Sequence, residues 1–138
     1  MPNITIITTI NTKLEKIWEL FTFPEHIVNW NHASSDWHCP SATNDLQVGG
    51  EFHFIMAAKD KSVEFDFNGV YTKILPNEFL GYTIAGGREI EVKFEKLGEN
   101  ETRVTEIFAP ENINSLELQQ NGWQAILNNF KAYAEGAK

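Results

Sequence analysis

The chain has 138 residues, of which 42% are hydrophobic and 22% are charged, values typical of one globular domain spanning residues 1–138. Nineteen acidic and eleven basic residues give a formal net charge of −8 at pH 7, which disfavours binding to nucleic-acid phosphates and to anionic lipid surfaces. Neither nucleic acid nor a membrane is therefore expected as a partner.

The N-terminal residues and the cysteine content bear on the compartment. Met1-Pro2-Asn3 lacks the basic start of a secretion signal, and no apolar run is long enough to span a membrane. The single cysteine, Cys39, has no partner for an internal disulfide, which agrees with a reducing compartment. We therefore expect a soluble cytoplasmic protein.

The first third of the chain predicts one strand and two short helices. Residues Ile4 to Ile10 alternate β-branched residues with threonine and indicate a strand. Thr12 and Glu15 have the spacing of a capping box, which predicts the start of a helix. Four apolar residues then recur at helical spacing: Leu14, Ile17, Trp18 and Phe21. Pro24 suits the first position of a second helix, which extends through Trp30.

The middle of the chain predicts a meander of antiparallel strands. Residues 31–47 lack a sustained period and indicate a loop with at most some edge strand. Five strands follow, at Glu51 to Ala58, Val63 to Ile74, Phe79 to Ile84, Arg88 to Lys96 and Thr102 to Phe108. Because every link has hairpin length, the sheet is expected to be antiparallel. Gly69 is a candidate bulge that would switch the inward face of its strand.

The C-terminal segment predicts one long amphipathic helix, capped by Asn112 or Asn114 and running to about Glu135. Its apolar stripe consists of Leu116, Trp123, Ile126, Leu127, Phe130 and Ala134. Such a stripe needs a broad apolar partner, and only the sheet can supply it. The expected fold is α+β, with a curved antiparallel sheet wrapped around the long helix and a hollow between them.

Several short motifs together resemble a known family. They are Leu14 to Trp30 with its Ile17-Trp18 and Phe23-Pro24-Glu25, Gly49-Gly50-Glu51-Phe52, Phe67-Asn68-Gly69-Val70-Tyr71, Leu75-Pro76-Asn77, and Gly122-Trp123-Gln124-Ala125-Ile126-Leu127. In order and spacing they resemble the family related to the activator of the ninety-kilodalton heat-shock protein ATPase. That family belongs to the START-like (SRPBCC) helix-grip superfamily, together with polyketide cyclases, lipid-transfer domains and birch-pollen-type allergens.

The resemblance implies a deep cavity for hydrophobic small molecules between the sheet and the long helix. It does not imply a common catalytic set. The additional chaperone-binding domain of the eukaryotic co-chaperone has no counterpart in this sequence, so interaction with a chaperone is not expected. A homodimer stays open.

The candidate ligand-binding residues are aromatic side chains on the predicted inner faces and polar residues near them. They are Trp30, Trp37, His38, Phe54, Phe65, Phe67, Tyr71, Tyr82, Arg88, Gln119 and Trp123. Such a wall buries an apolar ligand, while tyrosine hydroxyls and a few polar groups orient it. His38 could donate to a ligand carbonyl, and Arg88 could bind a ligand carboxylate.

Other interpretations of the polar residues stay open. His32, His38 and Cys39 could contribute to a zinc site, but a structural site usually needs four ligands, so neither a metal nor a cofactor is expected. Gln119 could meet a ligand or only cap the core. Glu106 faces inward in one strand register and would then need a partner such as Arg88, whereas a one-residue slip turns it outward.

Three functional hypotheses follow. The first is binding of a hydrophobic or aromatic small molecule without chemical conversion, because no catalytic motif is found. The second is an enzyme such as a cyclase or hydratase that uses His38, Arg88, Glu106 or a tyrosine for proton transfer in the same cavity. The third is a protein-binding module, as the family name suggests.

Overall fold

The computed structural model describes residues 2–136 and shows seven strands and three helices. The strands are β1 (Ile4–Ile10), β2 (Trp37–Asn44), β3 (Glu51–Ala58), β4 (Glu64–Leu75), β5 (Phe79–Ile84), β6 (Arg88–Gly98) and β7 (Glu101–Phe108). The helices are α1 (Leu14–Thr22), α2 (Pro24–Trp30) and α3 (Leu116–Gly136). The predicted order of elements is confirmed, and the edge strand within residues 31–47 is β2.

All seven strands form one curled antiparallel sheet in the order β1-β7-β6-β5-β4-β3-β2. The two short helices lie between β1 and β2, which are the two edges of the sheet. Among the strands, α3 packs mainly on β1 and α2 packs mainly on β2. The backbones of α2 and α3 therefore lie near the two edges, and space remains above the middle strands. The helix-grip architecture predicted from sequence is confirmed.

The core lies where α3 and α1 meet the inner face of the sheet. Leu127, Phe130 and Ala134 of α3 are at most 1% exposed. Leu20 of α1 and Val104 of β7 are fully buried in the same cluster. Leu116, which the helical stripe included, is instead 41% exposed, and the next two residues of α3 are exposed as well.

Both predicted helix caps on α1 and α3 were wrong. Lys13 occupies the N-cap position of α1 without a side-chain cap, and Thr12 is buried instead, with its hydroxyl donating to the Ala134 carbonyl over 3.5 Å. Neither Asn112 nor Asn114 caps α3. The Ser115 hydroxyl accepts from the Leu118 N–H at 3.1 Å and caps the helix.

The strand register shifts in β2, in β4 and near the end of β6, and the first two shifts bear on the predictions. The switch of face in β4 lies between Tyr71 and Lys73, where Thr72 is the extra residue, and not at Gly69. In β2 the register shifts between His38 and Ser41, around Pro40, which has no N–H to pair.

Gly69 instead allows the aromatic ring of Phe52 to lie close to the backbone of β4. A Cβ atom at this position would lie 2.8 Å from ring carbons of Phe52 and 2.6 Å from the Thr83 carbonyl oxygen. The Phe52 ring therefore packs flat over the backbone of β4. Only glycine leaves room for it there.

We expect Gly69→Ala to lower the free energy of unfolding by about 1–3 kcal/mol, because the added methyl group overlaps the Phe52 ring and a strand carbonyl. The control is Gly122→Ala in α3, where an added Cβ meets nothing within 4 Å. That substitution is expected to stabilise the helix by roughly 0.5–1 kcal/mol. Urea unfolding followed by circular dichroism measures both. Wild-type stability of Gly69→Ala would contradict the packing described.

Candidate functional site

A cavity of about 210 Å³ lies between the inner face of β3–β5 and helix α3. Most of its lining side chains are aromatic. The lining residues are Phe21, Trp30, Asn31, Phe52, Phe54, Met56, Phe65, Phe67, Tyr71, Leu80, Tyr82, Glu106, Trp123 and Ile126. An engineered apolar cavity of about 150 Å³ in another protein stays dry and holds benzene. The cavity described here therefore fits a molecule that contains one substituted ring or two small rings.

The floor of the cavity is built around Phe52. Its ring centroid lies 4.8 Å from that of Phe54, 5.0 Å from Tyr82 and 5.5 Å from Tyr71. Alternation along β3 turns Phe52, Phe54 and Met56 to the same inner face, as the sequence predicts. The rings hold one another in fixed orientations, which makes a preformed wall.

Trp123 closes the cavity from the helix side. Its indole stacks on Phe108 with ring centroids 4.0 Å apart and an interplanar angle of 13°. The same indole meets the edge of Phe67 at 6.1 Å. The residue therefore faces the sheet, and the contact with β7 fixes its position.

Trp30 and Phe21 form the end of the cavity under the short helices. Their rings stack with centroids 5.3 Å apart. The Trp30 indole N–H donates to the Leu20 carbonyl at 3.0 Å, so its polar atom is already satisfied. This end therefore offers apolar surface to a ligand.

The two tyrosines of the wall, Tyr71 and Tyr82, are both buried. The Tyr71 hydroxyl donates to Asn44 Oδ1 at 2.7 Å, and Asn44 Nδ2 donates in turn to the Thr22 carbonyl at 2.7 Å. Burial raises the pKa of Tyr71. Burial, and next the charge of Glu106, raise the pKa of Tyr82. Both hydroxyls therefore stay protonated and neutral across the physiological range.

Among the described residues that line the cavity, Glu106 alone carries a carboxyl group. It lies on β7 between Ile6 and Val92, and its residue is 7% exposed. The register that turns it inward is thus the one observed. Its carboxyl has no hydrogen bond or ion pair to any residue between 2 and 136, and burial raises its pKa to about 8.

Seven of the sequence-predicted candidates line the cavity: Trp30, Phe54, Phe65, Phe67, Tyr71, Tyr82 and Trp123. Four lie elsewhere: Trp37, His38, Arg88 and Gln119. Trp37 packs outside against Phe65, with ring centroids 6.0 Å apart, and Phe65 is 49% exposed at the mouth.

Arg88 and Gln119 lie at a separate surface depression beyond Trp123. Arg88 is not the partner of Glu106, because its Nε donates to the Ala109 carbonyl at 3.1 Å. Gln119 is buried and its side chain joins the preceding loop to α3. Its Oε1 accepts from the Glu111 N–H at 2.8 Å, and its Nε2 donates to the carbonyl oxygens of Glu111 and Asn114.

The histidine and cysteine candidates do not converge. His38 is exposed, whereas Cys39 is buried and its thiol donates to the Ser41 carbonyl at 3.3 Å. Burial raises the pKa of Cys39 and lowers that of His32, so both favour their neutral forms. Within the described part of the chain, no three His, Cys, Asp or Glu side chains are placed to hold a metal ion.

The remaining lining residues were not among the candidate ligand-binding residues, although Glu106 was considered for proton transfer. They are Phe21, Asn31, Phe52, Met56, Leu80, Glu106 and Ile126. Strand parity gave a usable signal for Phe52 and Met56, which alternate with Phe54, and for Leu80, which alternates with Tyr82. Asn31 carried no such signal, since it follows the end of α2.

One known protein family matches most of the chain. The family model described as "Activator of Hsp90 ATPase homolog 1-like protein" matches residues 11–135. The chain belongs to this family. The resemblance recognised in its sequence motifs is therefore confirmed, and no curated protein matches this AHSA1-like chain.

Solved structures agree with the assignment. The AHSA1-like protein from Aeromonas hydrophila is similar at 41% sequence identity with a TM-score of 0.91, covering 98% of this chain and 93% of that chain. The protein Chr148 from Cytophaga hutchinsonii is similar at 47% identity with a TM-score of 0.83, with the same coverage of 98% and 93%. The Aha1 dimer from Colwellia psychrerythraea shares the fold at 20% identity and a TM-score of 0.74, covering 100% and 99%.

One further finding concerns the helices. Across residues 2–136, no helix of this AHSA1-like protein is both long and apolar enough to cross a membrane.

The buried Glu106 makes stability depend on pH. Because its pKa in the folded protein is about 8, above its ordinary value of 4.5, the folded state holds a proton that the unfolded chain releases between these two pH values. Stability therefore falls as pH rises through this window. We expect Glu106→Gln to remove this dependence and to raise the free energy of unfolding at pH 8 by roughly 2–4 kcal/mol.

Urea unfolding at several pH values between 4.5 and 8.5 tests the expectation for Glu106. The matched control is Glu91→Gln, on the exposed face of the neighbouring strand β6. This substitution should leave the pH dependence of the free energy of unfolding as it is in the wild type. Parallel pH profiles for the wild type and Glu106→Gln would contradict the burial of an unpaired carboxyl.

Gln119 gives a second prediction. We expect Gln119→Ala to lower the free energy of unfolding by about 1–3 kcal/mol, because backbone groups of the 111–115 loop lose their hydrogen-bond partner. Thermal and urea unfolding measure this, with Gln120→Ala at the exposed neighbouring position as the control. Equal stability of the two variants would show that the side chain does not anchor the loop.

Proposed function

We propose that this AHSA1-like protein binds a hydrophobic or aromatic small molecule in the cavity between the sheet and α3, without converting it. The observation that carries the proposal is the preformed cavity of about 210 Å³ with walls that are mainly aromatic. Ligand pockets of proteins are typically concave and largely apolar, with a few polar groups that orient the ligand. Glu106, Tyr71 and Tyr82 supply those groups here.

The size of the cavity sets the expected affinity. A ligand of about ten non-hydrogen atoms that gains roughly 0.4–0.8 kcal/mol per atom binds in the millimolar to micromolar range. The aromatic wall favours flat rings, which can stack on Phe54 or meet the edges of Phe67 and Trp123. Long acyl chains exceed the volume available.

The enzyme alternative has less support. It requires two proton-transferring groups within hydrogen-bond reach of each other. His38 is exposed and Arg88 lies outside the cavity. Glu106 and Tyr82 share the cavity, but between residues 2 and 136 no hydrogen bond joins Glu106 to another side chain. Binding without conversion therefore remains the function that we propose.

We also propose that the protein is located in the cytoplasm and that it can associate with a second copy of itself. A free, buried Cys39 suits a reducing compartment. The relative from Colwellia psychrerythraea is described as a dimer. Light scattering coupled to size exclusion measures whether this chain also forms one.

A thermal-shift screen tests the ligand-binding proposal. We expect small aromatic compounds to raise the melting temperature in a concentration-dependent way, because ligands that bind only the folded state stabilise it. Ile126→Trp, which places a bulky ring in the cavity, should weaken binding of the same compounds at least tenfold. Titration calorimetry measures the affinities.

The matched control is Gln120→Trp, which adds the same ring at an exposed position of α3. It should bind like the wild type. Circular dichroism checks that both variants fold. A screen without any stabilising aromatic compound, or hits that bind Ile126→Trp and the wild type equally, would overturn the proposal.

A further inference from the structure

The cavity contains a buried acidic group that the protein itself does not neutralise. Glu106 is 7% exposed and lines the cavity, yet no N–H or O–H group in the described chain donates to its carboxyl. Buried carboxyl groups are normally hydrogen-bonded or paired with a cation. A complementary group supplied by a ligand would satisfy this one.

The charge of the surrounding wall narrows the choice of ligand. No lysine, arginine or histidine is among the described residues that line the cavity. An anionic ligand would therefore lose its hydration without gaining a countercharge, and this disfavours anions.

The aromatic rings favour the opposite charge. The faces of tryptophan, tyrosine and phenylalanine rings carry partial negative charge and attract ammonium groups that come within about 6 Å of the ring centre. Phe52, Tyr71 and Tyr82 surround one another in the same part of the wall, with centroids 5.0 to 5.9 Å apart. The net charge of −8 also attracts cations toward the protein.

We infer that the natural ligand is an aromatic or hydrophobic amine whose protonated nitrogen donates to the Glu106 carboxylate while its apolar part lies against the aromatic wall. The inference rests on the proposed function and names the chemical class of its ligand. It follows from the unpaired, buried position of Glu106 and from a wall that offers only neutral and electron-rich groups.

Binding of such an amine includes one proton transfer. In the empty cavity Glu106 is mostly protonated at pH 7, because burial raises its pKa to about 8. The ammonium ligand favours the carboxylate, so the carboxyl proton leaves to solvent and a ligand N–H takes its place as hydrogen-bond donor. Releasing that proton at pH 7 costs about tenfold in affinity. Affinity for the amine therefore rises as pH increases from 6 to 8.

No other group is expected to produce this pH dependence. The titratable groups that line the cavity with Glu106 are Tyr71 on β4 and Tyr82 on β5, and both stay neutral. The strand neighbours of Glu106 are Ile6 on β1 and Val92 on β6, which do not titrate. Residues of α1, α2, β3 and α3 in the lining are aromatic, aliphatic or amide side chains.

Titration calorimetry with three probes of similar size tests the inference. The probes are 2-phenylethylamine, 2-phenylethanol and phenylacetate, which carry an ammonium, a neutral hydroxyl and a carboxylate. We expect the amine to bind at least tenfold more tightly than the alcohol at pH 8, and the carboxylate not to bind. The affinity for the amine should fall about tenfold between pH 8 and pH 6.5, with a proton released on binding.

Glu106→Gln separates charge from shape. The variant keeps the size of the side chain, and its amide N–H replaces the O–H donor of the protonated carboxyl. It should therefore bind the alcohol like the wild type and lose at least tenfold in affinity for the amine. Glu91→Gln, at an exposed position on β6, is the control and should bind both probes normally. Circular dichroism verifies the fold of each variant.

The outcomes are distinguishable. If the alcohol binds as tightly as the amine, or if Glu106→Gln leaves the affinity for the amine unchanged, the amine inference is wrong while the proposed binding function stands. If none of the probes binds and the aromatic screen also finds no ligand, the proposed function fails, and the inference fails with it.

Discussion

The placement of α3 across a curled sheet is the constraint on which the rest of the structure depends. The helix packs along β1, where Leu127, Phe130 and Ala134 are buried, and it reaches the middle of the sheet through the ring of Trp123. That indole stacks on Phe108 of β7 and meets Phe67 of β4. The cavity lies between the helix and the middle strands, and side chains of the inner sheet face form its wall.

The burial of Glu106 opposes the stability of the fold. An apolar side chain of similar volume at this position would avoid the cost of removing a carboxyl from water. The protein instead keeps an acidic group among aromatic rings, with no protein partner in the described residues. Such a local cost is typical of positions whose favourable interactions are completed by a ligand.

The fold was largely predictable because its signals are periodic. Alternation along β3 and the apolar stripe of α3 identified the inner faces and Trp123 correctly. The errors arose where long-range contacts replace local ones. Thr12 looked like a helix cap but bonds to Ala134, which is distant in sequence. Gln119 lies one helical turn before Trp123 and was therefore expected near the cavity. Its amide is instead held by local hydrogen bonds to the preceding loop. The cavity's acidic residue depended on strand register, which sequence left undecided.

The bulge at Pro40 also affects how the molecule meets other copies of itself. Strand β2 is an edge of the sheet, and within residues 2–136 its backbone N–H and C=O groups on the outer side have no neighbouring strand. Proline lacks the N–H, and the register shift around it bends the strand. An approaching chain thus finds only short, interrupted stretches with which to pair, and this discourages the intermolecular β-sheet growth that leads to aggregation.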